Sequence, residues 1–145
     1  MKSDAKIHLS KLETELIQNP EWIFTKQLII KKVYKLFGEL HEVYKQISED
    51  EKKFLPEFYQ ITGGRISKGE NYGGLPYVML DYPATFSKEN IFTIRTMFWW
   101  GNFFSITLHL SEENYKLKEN SLQFSYKLSH LSNTALASLL NLHLF

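Results

Sequence analysis

The chain contains no cysteine among its 145 residues. This absence excludes disulfides, thiolate metal sites and cysteine nucleophiles, and it favours a cytoplasmic protein. A net charge of either sign is also lacking, because 17 basic and 16 acidic side chains give a formal charge of +1. Without a strong field to attract phosphates or an anionic lipid surface, the composition argues against nucleic acid and membranes as partners.

Long apolar runs are missing as well. No stretch approaches the roughly 20 apolar residues that span a bilayer, and the start of the chain is too charged for a secretory signal. Hydrophobic residues nevertheless make up 43% of the chain and aromatic residues 15%, which is typical of a folded globular protein. One domain over residues 1–145 is expected. The five histidines are scattered, so neither a metal site nor a cofactor is predicted.

Apolar residues at spacings of three and four predict helices in the first part of the chain. A first helix is expected over about 4–18 and a second over about 25–47. The sequence "SEDE" at 48–51 has the form of a capping box, and it predicts that the chain restarts there as a short helix after a bend. The helical part therefore covers about residues 1–61.

After this part the hydrophobic period changes from 3.6 to 2, which is typical of strands. The predicted strands are 77–82, 91–99, 103–110 and 121–129, and the predicted closing helix is about 133–144. Helices followed by strands indicate an α+β fold with N-terminal helices packed on one face of a roughly four-stranded antiparallel sheet, and with a C-terminal helix. The sheet part covers about residues 76–130.

The sequence "MFWWGNFF" at 97–104 joins the second and third predicted strands. A two-residue turn would place Arg95 opposite Leu108, whereas a three-residue turn at 100–102 gives one nearly pure apolar face. On that face the register pairs Phe98 with Phe104, Thr96 with Ile106, Ile94 with Leu108 and Phe92 with Leu110. On the other face it pairs Trp99 with Phe103, Met97 with Ser105, Arg95 with Thr107 and Thr93 with His109.

The outer face of this hairpin is the predicted contact surface, with Trp99, Trp100, Phe103 and Arg95 as its binding residues. Tryptophan and arginine are residue types that anchor interfaces, and exposed apolar patches are uncommon without a reason. The alternative is that a second layer of the same chain covers these rings. The sequence thus predicts a binding or interaction module whose partner is another protein or a second copy of the chain.

An enzyme is the competing hypothesis, with His109, Arg95 and Asp81 as candidate catalytic residues. Imidazole titrates near neutral pH, and Arg95 lies diagonally across the proposed hairpin from His109. Asp81 would supply a carboxylate if its strand pairs beside the next one, but an Asp81 to Arg95 ion pair would equally be structural. No catalytic motif is recognisable, so the assignment leans towards a protein that is not an enzyme.

Glycines crowd the segment 62–74, which is predicted to be a connecting loop. The spacing of Gly64 and Gly69 resembles that of a phosphate-binding loop, but Glu70 stands where lysine is required. Arg65 and Lys68 are the candidate residues for a weaker anion site. A cleft between the loop 63–74 and the sheet would suit a small molecule, and this is the alternative to an interaction module.

Two stretches, "YGGLPYVMLDYP" and "FTIRTMFWWGNFFS", resemble an uncharacterised family of small bacterial cytoplasmic proteins. The resemblance covers about residues 72–110 and contains no catalytic signature. It implies a bacterial cytoplasmic protein and implies no activity. The apolar C-terminal sequence "LASLLNLHLF" fits either a docked helix or a chain that continues further.

Overall fold

The computed structural model describes residues 7–50, 63–86 and 91–111, together with Tyr126, His130 and Ala137. Within these residues the elements are α1 (Lys11–Gln18), α2 (Glu21–Asp50), β1 (Arg65–Tyr72), β2 (Leu75–Phe86), β3 (Ile91–Trp99) and β4 (Phe103–Leu110). The four strands form one antiparallel sheet in the order β1-β2-β3-β4. An α+β fold with a four-stranded antiparallel sheet is therefore confirmed.

Helix α1 begins later than its hydrophobic pattern predicts. Ser10 is its N-cap: the Ser10 hydroxyl accepts from the Glu13 N–H at 3.2 Å, and the Glu13 carboxylate accepts from the Ser10 N–H at 2.6 Å. This reciprocal capping box satisfies two backbone N–H groups that a helix start otherwise leaves unpaired. The expected helix start near residue 4 is wrong for residues 7–10, which are not helical.

Helix α2 is longer than predicted at both ends. The Asn19 side chain accepts from the Glu21 N–H at 3.0 Å, so the Asn-Pro pair that ends α1 also caps α2. At the other end, the Ser48 hydroxyl donates to the Tyr44 carbonyl at 2.8 Å inside the continuing helix. The predicted bend and restart at 48–51 is wrong as far as Asp50, where α2 ends.

The first strand of the sheet lies where a loop is expected from the sequence. Residues Arg65–Tyr72 form β1 and pair with β2, so the loop interpretation is wrong for this segment. Gly73 and Gly74 have φ values of 58° and 84° and connect Tyr72 to Leu75 in the register. A two-residue hairpin turn of type I′ needs a positive φ at both positions, which glycine adopts without strain.

The predictions for the end of the chain fall mostly outside the described residues. Tyr126 lies inside the predicted strand 121–129 and is helical, so the strand is wrong at that residue. The rest of that segment, and the predicted closing helix 133–144 apart from Ala137, lie outside the described residues. The closing helix and the single domain over 1–145 stay predictions.

The predicted register of the β3–β4 hairpin is confirmed for all eight pairs, from Phe92 with Leu110 to Trp99 with Phe103. The turn is closed by a hydrogen bond of 2.9 Å from the Asn102 N–H to the Trp99 carbonyl. Gly101 has a φ of 77°, and it occupies the third turn position, where a type II turn requires a positive φ.

The core lies between α2 and one face of the sheet. Its buried side chains are Val33, Phe37, Leu40 and Tyr44 from the helix, with Val78, Leu80, Tyr82, Phe92 and Ile94 from β2 and β3. Full burial of such side chains contributes about 1.5–3 kcal/mol each. Tyr44 and Thr96 add a buried hydroxyl pair at 3.0 Å, so these polar groups enter the core with a partner.

The capping box of α1 predicts a pH dependence. Hydrogen bonds from the side chain and the backbone of Ser10 to the Glu13 carboxylate lower the pKa of Glu13 from the ordinary value of 4.5. A lowered pKa in the folded state means that this stabilisation is present above pH 4.5 and is lost as the pH falls through the folded pKa. Carbon-detected NMR titration should give a Glu13 midpoint below 4.5, which moves back towards 4.5 in Ser10→Ala. A midpoint at 4.5 or above in the unaltered protein would contradict the capping box.

Candidate functional site

The turns of the two hairpins lie side by side at one end of the sheet and carry a cluster of aromatic rings. We call Tyr72, Tyr77, Trp99 and Trp100 the hairpin-tip cluster. The Trp99 indole N–H donates to the Tyr72 carbonyl at 2.8 Å, and the two rings meet edge to face with centroids 5.3 Å apart. The Tyr77 ring packs on Tyr72 in the same way at 5.7 Å. These contacts fix the rings relative to one another.

The two tryptophans of the cluster have different neighbours. Trp99 packs on Tyr72, whereas Trp100 packs edge to face on Phe98 at 6.2 Å and its backbone N–H donates to the Pro76 carbonyl at 3.0 Å. Both tryptophans are half-buried, and Tyr72 is 49% exposed. Phe103 lies opposite Trp99 in the register. The structure thus brings Trp99 and Trp100 to one end of the sheet without placing their rings against each other.

Tyr72 and Tyr77 are site residues that the sequence reasoning missed. Gly69 is opposite Tyr77 in the register, and a Cβ at position 69 would lie 2.6 Å from the Tyr77 ring. At Gly73 a Cβ would lie 3.1 Å from the Trp99 ring. The glycines therefore provide the space in which the rings lie on the backbone. The sequence "YGGL", a two-glycine turn next to aromatic residues, was the signal for this hairpin.

Arg95 and Asp81 form a cross-strand ion pair on the outer face. They are opposite each other in the register, with Arg95 Nε 2.7 Å from Asp81 Oδ1 and a second guanidinium nitrogen 3.1 Å from Oδ2. The hydrogen bond to Asp81 raises the pKa of Arg95 further above its ordinary value. Asp81 is buried, and both of its carboxylate oxygens accept hydrogen bonds from Arg95. The pair therefore has the geometry of a structural ion pair.

His109 does not join this ion pair. It is exposed on β4, and its Nε2 lies 3.1 Å from the Thr107 hydroxyl. Thr93, which is opposite His109, is fully buried and its hydroxyl has no hydrogen-bond partner among the described residues. The structure therefore brings together two of the three candidate catalytic residues, and the pair that forms offers a permanently charged guanidinium where an acid or base is needed.

Arg65 and Lys68 do not converge on a common anion. Both lie in β1, three residues apart, and side chains at odd spacing in a strand project to opposite faces. Arg65 is opposite Asp81 in the register, while the Lys68 ammonium lies 6.0 Å from the centre of the Tyr34 ring of α2. The backbone of this segment pairs with β2, so it does not close a cleft over the sheet.

A groove of about 1170 Å³ runs between α2 and β1. Ile23, Ile30 and Ile66 are among its apolar lining residues, with the Tyr34 ring beside them. Its charged lining residues are Lys26, Lys31, Lys32, Lys35, Lys68 and Glu70. Lys26 forms an ion pair with Glu70, and Lys35 lies 3.8 Å from Glu39. The groove therefore combines an apolar lining with an excess of positive charge.

A second surface that the sequence reasoning missed is an apolar one. We call residues 7–28 the N-terminal arm; it consists of α1 and the first turns of α2. Nine of its large apolar side chains are at least 40% exposed: Ile7, Leu9, Leu12, Leu16, Ile17, Trp22, Ile23, Phe24 and Leu28. No residue of α1 is buried. The leucine pattern predicts an apolar helix face that packs on the sheet, whereas the structure leaves this face exposed.

Comparison with protein-family models, with curated proteins and with solved structures finds no match to this chain. In the described ranges, no group of three or more His, Asp or Glu side chains is arranged to hold a metal ion. None of the helices that the structure describes is long and apolar enough to cross a membrane. The resemblance to a bacterial family and the cytoplasmic location stay predictions.

The ion pair on the outer face predicts a loss of stability when one partner is removed. Asp81→Asn keeps the shape of the side chain but leaves the Arg95 guanidinium without its carboxylate, and we expect the free energy of unfolding to fall by about 1–3 kcal/mol. Urea unfolding of Asp81→Asn, Arg95→Met and the double variant measures the coupling between the two residues. If the two residues form one ion pair, the double variant should lose about as much free energy of unfolding as each single variant. A loss equal to the sum of the two single losses would contradict the pair.

Proposed function

We propose that the protein is an interaction module that associates with a second copy of itself through the N-terminal arm. The observation that carries this proposal is the row of nine exposed apolar side chains, of which Ile7 is 86% exposed. The largest apolar patch on a typical monomeric protein covers about 300–600 Å² and is itself often functional. An uncovered surface of this kind favours a partner.

The size of the surface fits a stable dimer. With about 200 Å² for a fully exposed side chain, the nine residues present roughly 1,000 Å² per chain. A standard interface buries about 800 Å² on each partner. The Trp22 indole N–H donates to the Leu16 carbonyl at 3.2 Å, which ties α1 to α2 so that the arm acts as one unit. Trp22, Ile23 and Phe24 are consecutive in a helix and point in different directions, so a partner contacts part of this area, which is still of the size of a standard interface.

The charges of the arm favour a second copy over a strongly charged partner. Both signs are present, on Lys11, Glu13, Glu15, Glu21 and Lys26. In a two-fold contact, residue i of one copy meets residue j of the other and the reverse, so an arm that carries both signs can place a lysine of one copy near a glutamate of the other. Such an arm is complementary to itself, while a highly acidic or basic partner would gain little from it.

Substitutions in α1 test this proposal. Leu12→Gln combined with Leu16→Gln removes two exposed apolar side chains without adding charge and keeps good helix formers in place. We expect the unaltered protein to be a dimer. The dissociation constant of the double variant should be higher by about tenfold or more, because both leucines would be buried in the dimer interface. Sedimentation equilibrium measures the constant, and circular dichroism checks that the helical signal is unchanged.

Leu108→Gln is the matched control, since it makes the same change at a site on β4 that is 39% exposed and lies outside the arm. The control should associate as the unaltered protein does. An unaltered protein that is monomeric at about 100 µM would overturn the proposal, because an apolar interface of this area should be occupied at that concentration. Association that the double variant leaves unchanged would overturn it as well.

The hairpin-tip cluster is a second candidate contact surface. Its rings are held by the Trp99 to Tyr72 hydrogen bond and by edge-to-face contacts, so they need little further ordering on binding. If this cluster is the contact in place of the arm, Tyr72→Ser should weaken association while the leucine variant does not. With the arm as the contact, Tyr72→Ser should leave association within about twofold of the unaltered protein. The two variants therefore separate the two surfaces in the same sedimentation experiment.

A further inference from the structure

The groove between α2 and β1 has a property that the N-terminal arm lacks, because one of its walls is the edge of a sheet. Among the described strands, β1 pairs only with β2. On the other side of β1, alternate backbone N–H and C=O groups over residues 66–70 have no strand partner in the described ranges. Such an edge accepts an extended peptide as an additional strand.

The side chains along the groove indicate which peptide would fit. Ile66 and Lys68 are two residues apart in β1 and therefore project to the same face, the one that lines the groove. Opposite them, α2 contributes the apolar Ile30 and the cationic Lys31. Apolar and cationic side chains thus lie next to each other on both walls.

Three of the five lysines that line the groove have no acidic partner among the described residues. Lys26 is neutralised by Glu70, but no acidic side chain of the described residues pairs with Lys31, Lys32 or Lys68. A lysine on an edge strand discourages edge-to-edge aggregation, and this role would be enough to explain Lys68. Protection against aggregation does not explain why α2 places further lysines across the groove from Lys68.

From this arrangement we infer that the groove binds an extended acidic segment of a partner protein, which adds to β1 along the edge that has no strand partner in the described ranges. The segment would carry an apolar residue towards Ile66 and, two positions along, a glutamate or aspartate towards Lys68 and Lys31. Backbone hydrogen bonds to β1 would provide affinity, and the alternation of apolar and acidic side chains would provide specificity. The inference does not require association through the N-terminal arm, but the two surfaces share Ile23 and Leu28, which line the groove and belong to the arm.

A synthetic peptide tests the inference on the full chain. The probe is a fluorescein-labelled peptide of about eight residues with the repeating order threonine, valine, threonine, glutamate. Valine and glutamate then lie two positions apart and share one face of the strand. Fluorescence anisotropy should show saturable binding that weakens as salt is added, because the contact is partly electrostatic. A peptide with lysine in place of glutamate should bind at least about tenfold more weakly.

Variants of the protein locate the peptide. Lys31→Glu combined with Lys68→Glu should weaken binding by about tenfold or more, and Lys31→Gln combined with Lys68→Gln should weaken it less but in the same direction. Lys45→Glu is the matched control, since Lys45 is exposed on the same helix and does not line the groove. Its affinity should stay within about twofold of the unaltered protein.

Hydrogen exchange distinguishes strand addition from a purely ionic contact. When the glutamate peptide binds, alternate amides of β1 should become protected, and a peptide with N-methyl groups on one edge should fail to bind. Equal binding of the N-methylated peptide would overturn the inference. So would a preference of the groove for dodecanoate or for a single-stranded oligonucleotide over the peptide, because neither supplies a strand edge.

Discussion

The ion pair and the hairpin-tip cluster depend on which way the side chains of β3 point. The apolar stripe of α2 covers the face that carries Ile94, and this alone decides that Arg95 and Trp99 lie on the other face. A shift of one residue would bury the guanidinium under the helix and expose the core side chains. The burial of Ile94 and its neighbours therefore positions Asp81, Arg95 and Trp99 on the face away from the core.

The β3–β4 register could be predicted because both strands alternate apolar and polar residues, so only one pairing leaves a continuous apolar face. The same reasoning identified Asp81 as the candidate partner of Arg95. It failed for β1, whose sequence "RISKGENY" is polar and contains glycine. An edge strand is held mainly by backbone hydrogen bonds on one side, and those bonds leave little trace in side-chain pattern. The two-glycine turn was the local evidence that remained.

Exposure is the property that sequence reasoning could not supply for the N-terminal arm. The spacing of Leu9, Leu12 and Leu16 predicts that one face of a helix is apolar, and it predicts this equally for a helix in a core and for a helix at an interface. What separates the two cases is whether another element of the same chain lies against that face. For the groove the limitation is similar, because Lys31 and Lys68 become neighbours only when α2 crosses β1.

The length of α2 connects the arm to the groove. Its 30 residues span about 45 Å, whereas the stretch from Val33 to Tyr44, which contains its four buried side chains, spans about 17 Å. The contacts of α2 run along β1, from the Lys26–Glu70 ion pair to His41 beside Gly64, and the eight residues of β1 span only about 27 Å. A helix of this length therefore extends beyond the layer that it covers, and its first turns keep an apolar stripe that the sheet does not reach. Where the helix lies along β1 it forms the groove, and where its first turns project further it forms part of the arm. The part of the arm that belongs to α2 is thus a consequence of this mismatch in length, whereas the groove lies where α2 still packs on the sheet.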